Sequence, residues 1–309
     1  ATVAFAQFIQ EATYEEITGL VEEMALHRER RMANAQLPEC AQIAIYVMHD
    51  KICGAKELSN KYRLSKCCTN DTSERRLCFF QRKNADVSYL TPFQDSFTDP
   101  EKGCQEFEED HDVFRNQYIY EIARRNPFLF APTLLSLAAR YKEVSTSCCQ
   151  EENKHECFHT KATTITNDLK DISAKQLNLC GVLRQFGTKA VKLQKVVEIS
   201  QKFPSIGFQE LDMLLKDFPT MIDVCCEGDV VHCFRSEAKI IKSICSKADS
   251  ISSKIRDCCQ LTVPQRGECI FAYSENDDKP EDSSLRAEIF TEKDDVCQHL
   301  HEDKENLLT

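Results

Sequence analysis

Several features that mark other classes of protein are scarce or missing in this chain of 309 residues. Only eight glycines interrupt it, and no stretch alternates apolar and polar residues for long enough to form a sheet. No apolar run approaches twenty residues, so we expect no segment to insert into a membrane. Glycine-rich phosphate loops and serine or cysteine nucleophile elbows are absent as well. The sequence therefore predicts an all-α fold and no enzyme activity.

The charge and the cysteine content narrow the class further. Acidic residues outnumber basic ones by 50 to 39, and a formal net charge of -11 argues against binding nucleic acid or an anionic membrane. Eighteen cysteines place the chain in an oxidising, extracellular compartment. No two of them are separated by two residues, as the ligands of a structural zinc site commonly are. We expect neither a metal site nor a cofactor.

Periodicity and helix-ending residues outline several helices. Apolar residues fall at helical steps over 5–12 and over 107–125, where the pattern stops before Pro127. Pro132 suits the first turn of a helix over 133–144. Asp249 or Ser250 is expected to cap the helix that carries Cys258. The chain opens without a charge or a cap, so we expect a leader and some mature residues to precede it.

Four adjacent cysteine pairs dominate the sequence, and each is followed by one more cysteine. Neighbouring cysteines rarely bond to each other, because closing a disulfide across one peptide bond strains its geometry. The two sulfurs of each pair must therefore reach different partners, so that each pair can join three segments of chain. The four groups are Cys67, Cys68 and Cys78; Cys148, Cys149 and Cys157; Cys225, Cys226 and Cys233; and Cys258, Cys259 and Cys269.

The cysteine spacing also repeats along the chain. Corresponding cysteines recur 191 to 193 residues apart: Cys53 and Cys245, Cys78 and Cys269, Cys104 and Cys297. The chain holds about one and a half copies of such a repeat. We place a domain boundary near residues 173–176. Residues 1–173 would form a first domain that lacks its first helix, and 174–309 a second domain that stops after its first subdomain.

Two cysteines and one asparagine stand apart from this pattern. Cys40 has no cysteine eight or nine residues upstream, and the partner expected for Cys297 would lie beyond Thr309. We expect both to be unpaired. Cys40 is either buried and inert or a reactive, intermolecular thiol. Asn70 begins the sequence Asn-Asp-Thr and is the predicted glycosylation site.

One motif suggests catalysis instead. His155, Glu156 and His159 match H-E-x-x-H, in which two histidines hold zinc and the glutamate acts as a base. However, Cys157 lies inside the motif and is expected to form a disulfide. The preceding segment 150–154 is wholly polar, and no third ligand follows at a typical spacing. We therefore do not favour a metalloprotease, although chelator-sensitive peptidase activity or stoichiometric zinc would support one.

The paired cysteines occur together with AFAQF at 4–8, YEIARR at 120–125, FGT at 186–188 and SISSK at 250–254. This combination resembles the serum albumin family over the whole chain. Other stretches resemble its lipid-carrying branch: RRLCFF at 75–80, RNPF at 125–128, FAPTLL at 130–135 and CCEGDVV at 225–231. The resemblance implies disulfide-laced helical bundles in a secreted carrier with three repeated domains. It also implies the pairing Cys53–Cys68, Cys67–Cys78, Cys104–Cys149, Cys148–Cys157, Cys180–Cys226, Cys225–Cys233, Cys245–Cys259 and Cys258–Cys269.

The chain departs from the family at several functional positions. Ala12 stands where albumin has its free thiol. The four positions matching the albumin zinc site are Ile45, Arg76, Glu227 and Asp229, so no such site is expected. Basic character is reduced in the second-domain drug pocket, whose matching positions are Leu179, Gln194, Glu198, Ile222 and Glu237, with Lys175 and Lys202 as its remaining cations. Phe130, Glu237 and Gly267 at a matching fatty-acid site would disfavour a free carboxylate.

A ligand pocket in the first domain is what the resemblance leaves intact. Its expected walls are Phe114, Tyr118, Ile119, Ile122, Leu134, Leu137, Ala138, Tyr141, Ile165 and Leu169. The residues alone favour a packed core, and the family resemblance reverses that preference. No clear match exists for the arginines that hold a fatty-acid head in albumin, and Thr166 stands at one of those places. The expected ligand is therefore a neutral or esterified lipid.

The resulting prediction is an extracellular carrier that holds a hydrophobic ligand in a helical tunnel of the first domain. The resemblance implies tocopherol-like molecules and lipid-modified secreted signalling proteins of the Wnt type as partners. One alternative is a general transporter of fatty acids and anionic metabolites. Another is a disulfide-stapled interaction module whose tunnel is filled by its own side chains.

Overall fold

The computed structural model describes residues 1–33, 43–69, 71–202, 207–263 and 265–272, and residues 1–271 form one compact unit. Within these ranges the regular structure is helical and no strand occurs, which confirms the all-α prediction. Cys40, Asn70 and Cys297 lie outside the described residues. The first helices along the chain are α1 (Thr2–Phe8), α2 (Tyr14–Ala33), α3 (Ala44–Gly54), α4 (Lys56–Lys61), α5 (Ser65–Cys68), α6 (Thr72–Arg82), α7 (Pro100–Glu109) and α8 (His111–Arg125).

Eight further helices follow in the described part of the chain. They are α9 (Ala131–Cys148), α10 (Lys154–Lys202), α11 (Phe208–Leu215), α12 (Phe218–Glu227), α13 (Val230–Cys245), α14 (Ala248–Ile251), α15 (Ser253–Gln260) and α16 (Gln265–Ala272). A short 3-10 turn, Asp95–Phe97, precedes α7. None of the described helices is both long enough and apolar enough to cross a membrane.

Side-chain caps place some helix ends differently from the sequence prediction. The helix expected over 107–125 is divided, because the Asp110 backbone is extended and its carboxylate accepts hydrogen bonds from the amides of Asp112 and Val113. The helix expected over 133–144 runs further, from Ala131 to Cys148. The cap of α15 is Ser252, whose hydroxyl accepts from the Ile255 amide, so the assignment to Asp249 or Ser250 was wrong.

Helix α1 is almost completely buried, although it contains a polar side chain. The Gln7 amide donates to the carbonyl oxygens of Asn126 and Leu129 at 3.0 and 2.7 Å. Gln10, just beyond the helix, donates to the Arg124 carbonyl at 2.8 Å and accepts from the Asn84 amide. These bonds satisfy backbone groups at and after the end of α8, where intrahelical partners run out. The burial of the AFAQF segment is thereby matched by its hydrogen bonding.

Among the described residues, eight disulfides connect the helices, in the pairing that the family resemblance implies. They are Cys53–Cys68, Cys67–Cys78, Cys104–Cys149, Cys148–Cys157, Cys180–Cys226, Cys225–Cys233, Cys245–Cys259 and Cys258–Cys269. Each adjacent pair sends one sulfur backward and one forward along the chain. The longest closed segment is that of Cys180–Cys226, with a sequence separation of 46 residues. The cross-links are therefore all local.

The buried side chains form two hydrophobic clusters. The first draws on α1 to α10 as far as Ile172, and the second begins at Leu179 on the same helix and continues to Ile270, with Phe130 as an early member. Helix α10 passes from one cluster to the other without a loop. It is kinked at Gly187, whose φ of 77° favours glycine. The domain boundary near 173–176 stays a prediction, since the chain there is continuous helix.

Polar contacts join the two clusters. The Arg140 guanidinium on α9 forms ion pairs with Asp168 on α10 at 2.8 Å and with Glu268 on α16 at 2.5 Å. Glu268 also accepts a hydrogen bond from the Ser136 hydroxyl at 2.6 Å. These groups are partly buried, so their attraction is screened less than that of an exposed pair. The contact fixes α16 against α9.

Candidate ligand-binding pocket

A pocket of 250 Å³ opens where the 3-10 turn, α9 and α10 meet. The 3-10 turn and the residues after it contribute one wall, Tyr141 of α9 the floor, and the first two turns of α10 the opposite wall. The lining combines aromatic and polar side chains and includes neither lysine nor arginine. The lining residues are Ser96, Phe97, Thr98, Pro100, Tyr141, His155, Phe158, His159 and Ala162.

Covalent and steric constraints hold the walls in place. Cys104–Cys149 ties α7 to the end of α9, and Cys148–Cys157 ties that same end to α10. The 3-10 turn packs on α7 at Gly103, where an added Cβ would lie 2.2 Å from the Ser96 carbonyl oxygen. Only glycine permits so close an approach. The pocket is therefore preformed rather than built from a free loop.

The floor of the pocket is one edge of an aromatic cluster. The rings of Tyr118 and Tyr141 stack with centroids 3.9 Å apart, and Phe97 packs edge-on to both at 5.4 and 6.0 Å. Phe114 and Phe158 lie against Tyr141 at 6.2 and 6.4 Å. Burial raises the pKa of both tyrosine hydroxyls well above the ordinary value, so the phenols stay neutral at physiological pH.

The structure brings the ten predicted wall residues together, but mainly as packed core. All ten belong to or pack against the first hydrophobic cluster, and only Tyr141 also lines the pocket. Nine of them are buried, whereas Leu169 is partly exposed. Sequence reasoning missed the contribution of Phe97 and Phe158. No periodic pattern marks the segment around Phe97, so only the tertiary packing places its ring beside Tyr141.

The H-E-x-x-H motif lies on the rim of this pocket. The side-chain amide of Asn153 donates a hydrogen bond to the Glu156 carboxylate at 2.9 Å. In return, the backbone amide of Glu156 donates to the side-chain oxygen of Asn153. This reciprocal arrangement caps the start of α10. Cys157 is bonded to Cys148. Within the described residues no group of three or more histidine, cysteine or carboxylate side chains is arranged to hold a metal.

Comparison with known proteins gives the evolutionary context of this pocket. The family model described as the serum albumin family matches residues 1–158 and 178–309. The chain belongs to the serum albumin family. Afamin from Bos taurus is 47% identical over 306 residues, which is 99% of this chain and 50% of afamin, and afamin from Homo sapiens is 46% identical over 99% of this chain and 51% of its own length. Alpha-fetoprotein from Sus scrofa is 40% identical, covering 99% of this chain and 50% of that protein.

Solved structures of family members have the same fold. An orthorhombic crystal form of human afamin matches with a TM-score of 0.86 and 46% identity, covering 99% of this chain and 52% of the afamin chain. A structure of gadolinium MRI contrast compound binding in human plasma glycoprotein afamin matches with a TM-score of 0.74 and 40% identity, over 98% of this chain and 54% of that one. The branch of the family indicated by the sequence is that of afamin. The chain spans about half the length of the relatives it matches.

Several positions that the family resemblance assigns to a second-domain drug pocket are packed or paired in this structure. Leu179 and Ile222 are packed in the second cluster, and Glu198 pairs with Lys195 at 2.5 Å. Glu237 is mostly enclosed, and burial raises the pKa of its carboxyl to about 7. Its carboxylate oxygen would lie 3.1 Å from a Cβ at Gly267, so the glycine makes room for it. This position offers a carboxylate or a neutral acid where the family resemblance implies a base.

The positions that match the albumin zinc site are engaged in other contacts. Arg76 forms an ion pair with Glu227, and the ion pair joins α6 to the end of α12. Asp229 accepts from the backbone amide of His232 at the start of α13 and contacts its ring at 2.8 Å. Ile45 is buried in the first cluster. The Arg76 guanidinium supplies to Glu227 the positive charge that a bound metal cation would otherwise supply.

Proposed function

We propose that this chain is part of an extracellular carrier that holds a hydrophobic ligand at the aromatic pocket of its first domain. The observation that supports this proposal is the pocket lining. It contains aromatic rings and a neutral Tyr141 phenol, and it has no lysine or arginine to bind a carboxylate head. Such a site suits a neutral or esterified lipid, an acyl chain or a tocopherol-like molecule. Its disulfide-stapled walls suit a secreted protein, and we extend the proposal to the acyl group of lipid-modified, Wnt-type signalling proteins.

The size of the pocket limits how a ligand would enter. Drug-sized ligands occupy sites of about 300–1,000 Å³, and this pocket measures 250 Å³. It would hold one end of a lipid, and a longer chain would have to part the stacked rings of Tyr118 and Tyr141. Burying sixteen methylenes at roughly 0.8 kcal/mol each offers on the order of 10 kcal/mol before ordering costs. This energy is larger than the cost of separating the two rings, because an aromatic pair contributes only roughly 1 kcal/mol beyond the area that it buries.

A substitution that fills the pocket tests the proposal. Ala162 lines the pocket on α10, and Ala162→Trp would place an indole in the space that the lipid end needs. We expect the affinity for a fluorescent acyl probe to fall at least about tenfold. A tenfold loss corresponds to about 1.4 kcal/mol, which is the burial energy of fewer than two methylenes, and the indole would displace at least that much of the chain. Thr164→Trp is the matched control, since Thr164 is exposed on the same helix and does not line the pocket. Equal binding by both variants would refute the assignment to this pocket.

The native cargo distinguishes the remaining alternatives. Nine of the ten predicted wall residues pack in or against the core and do not line the pocket. This packing is more typical of an interaction module without ligand than of an open tunnel. Mass spectrometry of organic extracts from the purified protein separates the three functions. Neutral or acyl-linked lipid supports the carrier proposed above, free fatty acid supports a general anion transporter, and an empty protein supports the interaction module.

A further inference from the structure

Two histidines share the rim of the pocket without a use in lipid binding. His155 and His159 both line it, and both side chains are exposed. They are four residues apart on α10, so their Cβ atoms are neighbours about 5–6 Å apart on one face of the helix. Among the described residues neither ring has a hydrogen bond, an ion pair or an aromatic contact. Two imidazoles are therefore available to a ligand in the same cavity.

The rest of the H-E-x-x-H motif has a structural role. Glu156 is held by Asn153 at the start of α10, and Cys157 is held by its disulfide. The base that a zinc protease requires is thus engaged in capping, while the two potential metal ligands are not. The chemistry left to the histidines is binding rather than hydrolysis.

A third polar group in the pocket lining, Ser96, also points to an occupant. Ser96 is 2% exposed and lines the pocket, and its hydroxyl oxygen has no hydrogen-bond partner. A buried hydroxyl left unpaired costs about 1–3 kcal/mol. Its position is fixed because the 3-10 turn packs on Gly103. A hydrogen-bonding group bound inside the pocket would relieve this cost.

We propose that His155 and His159 chelate a divalent transition metal ion of the Zn²⁺ or Cu²⁺ class at the rim of the pocket. Imidazole nitrogen is a favoured ligand of these ions, and two histidines at this helical spacing bind one ion together. Water fills the remaining coordination positions. With two protein ligands the ion keeps open positions and exchanges readily. The site shares the rim of the pocket proposed for the lipid end, but its test needs no lipid.

Titration of the full chain with each metal alone tests the site. Cysteine thiols are alkylated in every sample, and Zn²⁺ and Cu²⁺ binding is measured by calorimetry. His155→Gln and His159→Gln should each weaken one binding event at least about tenfold, because even outer partners of metal ligands affect affinity by 10–100-fold. The double variant should lose one equivalent of metal. His111→Gln, a histidine that packs against Phe107 away from the pocket, should keep it.

Spectroscopy gives a measurement that would not change if the two histidines had only a structural role. The electron paramagnetic resonance spectrum of the Cu²⁺-loaded protein should show two nitrogen donors that disappear in the double variant. Ser96→Ala should keep both nitrogens and weaken binding by a smaller factor. Unchanged stoichiometry and affinity in the double variant, or a copper spectrum unaffected by it, would overturn the proposal. The substituted histidines are exposed, so unfolding does not confuse the result.

Discussion

Replacement of Lys83 by methionine should make the protein more stable at neutral pH. Lys83 follows α6 and is 7% exposed. Its ammonium nitrogen lies 5.0 and 5.7 Å from the ring centroids of Phe8 and Phe128 and 3.5 Å from the carbonyl oxygen of Cys226. Burial lowers the pKa of this amine from 10.5 to about 7. Methionine has a similar volume, carries no charge and packs well against aromatic rings.

The pKa shift fixes the sign and the size of the effect. Between pH 7 and 10.5 the unfolded chain binds a proton that the folded protein releases, so the free energy of unfolding rises with pH. Each pH unit in this window contributes about 1.36 kcal/mol. From pH 7.4 to 10.5 the single group should therefore add roughly 4 kcal/mol. The Lys83→Met variant lacks this slope and should exceed the wild type by a few kcal/mol near pH 7.

Guanidinium unfolding followed by circular dichroism at about pH 7, 8 and 9 provides the measurement, with free thiols alkylated in both proteins. The stability gap between the variant and the wild type should narrow as pH rises. Lys66→Met, a change at an exposed lysine, is the control and should leave the slope unaltered. Equal slopes for the wild type and Lys83→Met would refute the reasoning. In that case the two rings and the carbonyl hold the ammonium ion charged.

Two further predictions concern residues that pack beside the first hydrophobic cluster. Gly103→Ala should lower the melting temperature and weaken acyl-probe binding, because its Cβ would collide with the Ser96 carbonyl oxygen; unaffected melting and binding would contradict this. His49 is buried against Phe8 and Phe79, and burial, with nearby cations, lowers its pKa to about 3. The unfolded chain therefore takes up a proton below about pH 6.5 that the folded protein does not, and stability should fall as pH drops from 6.5 toward 3. His49→Phe should reduce this acid loss, by up to about 2 kcal/mol between pH 6.5 and 5, in chemical denaturation; an equal loss in both proteins would show that another group causes it.

Helical periodicity and the lack of alternating apolar and polar residues were enough to predict the all-α fold, and the cysteine pattern carried the resemblance to a known family. The resemblance then supplied the pairing. Helix ends were predicted less well. The cap at Asp110 has a visible sequence signal, an aspartate before His111 and Asp112, but the apolar pattern on both sides obscured it.

The pocket itself could be predicted only in part. Tyr141 was identified, and the two histidines were noticed for a catalytic motif rather than for their place beside it. Ser96 and Phe97 reach the pocket through a 3-10 turn whose position depends on contact with Gly103, a distance that no local pattern encodes. The burial of Lys83 is of the same kind, since an isolated lysine next to an arginine is typical of an exposed helix end.

The local cross-links also determine which fragments a protease would release. The described disulfides form four separate knots, over residues 53–78, 104–157, 180–233 and 245–269. A peptide bond cut inside a knot leaves both products tethered, whereas a cut at 79–103, 158–179 or 234–244 leaves them held only by packing. On a denaturing gel without reductant, nicks in those three stretches would produce separate bands, and so would a nick before Cys40, the first cysteine of the chain. Tryptic patterns would therefore display the knots directly.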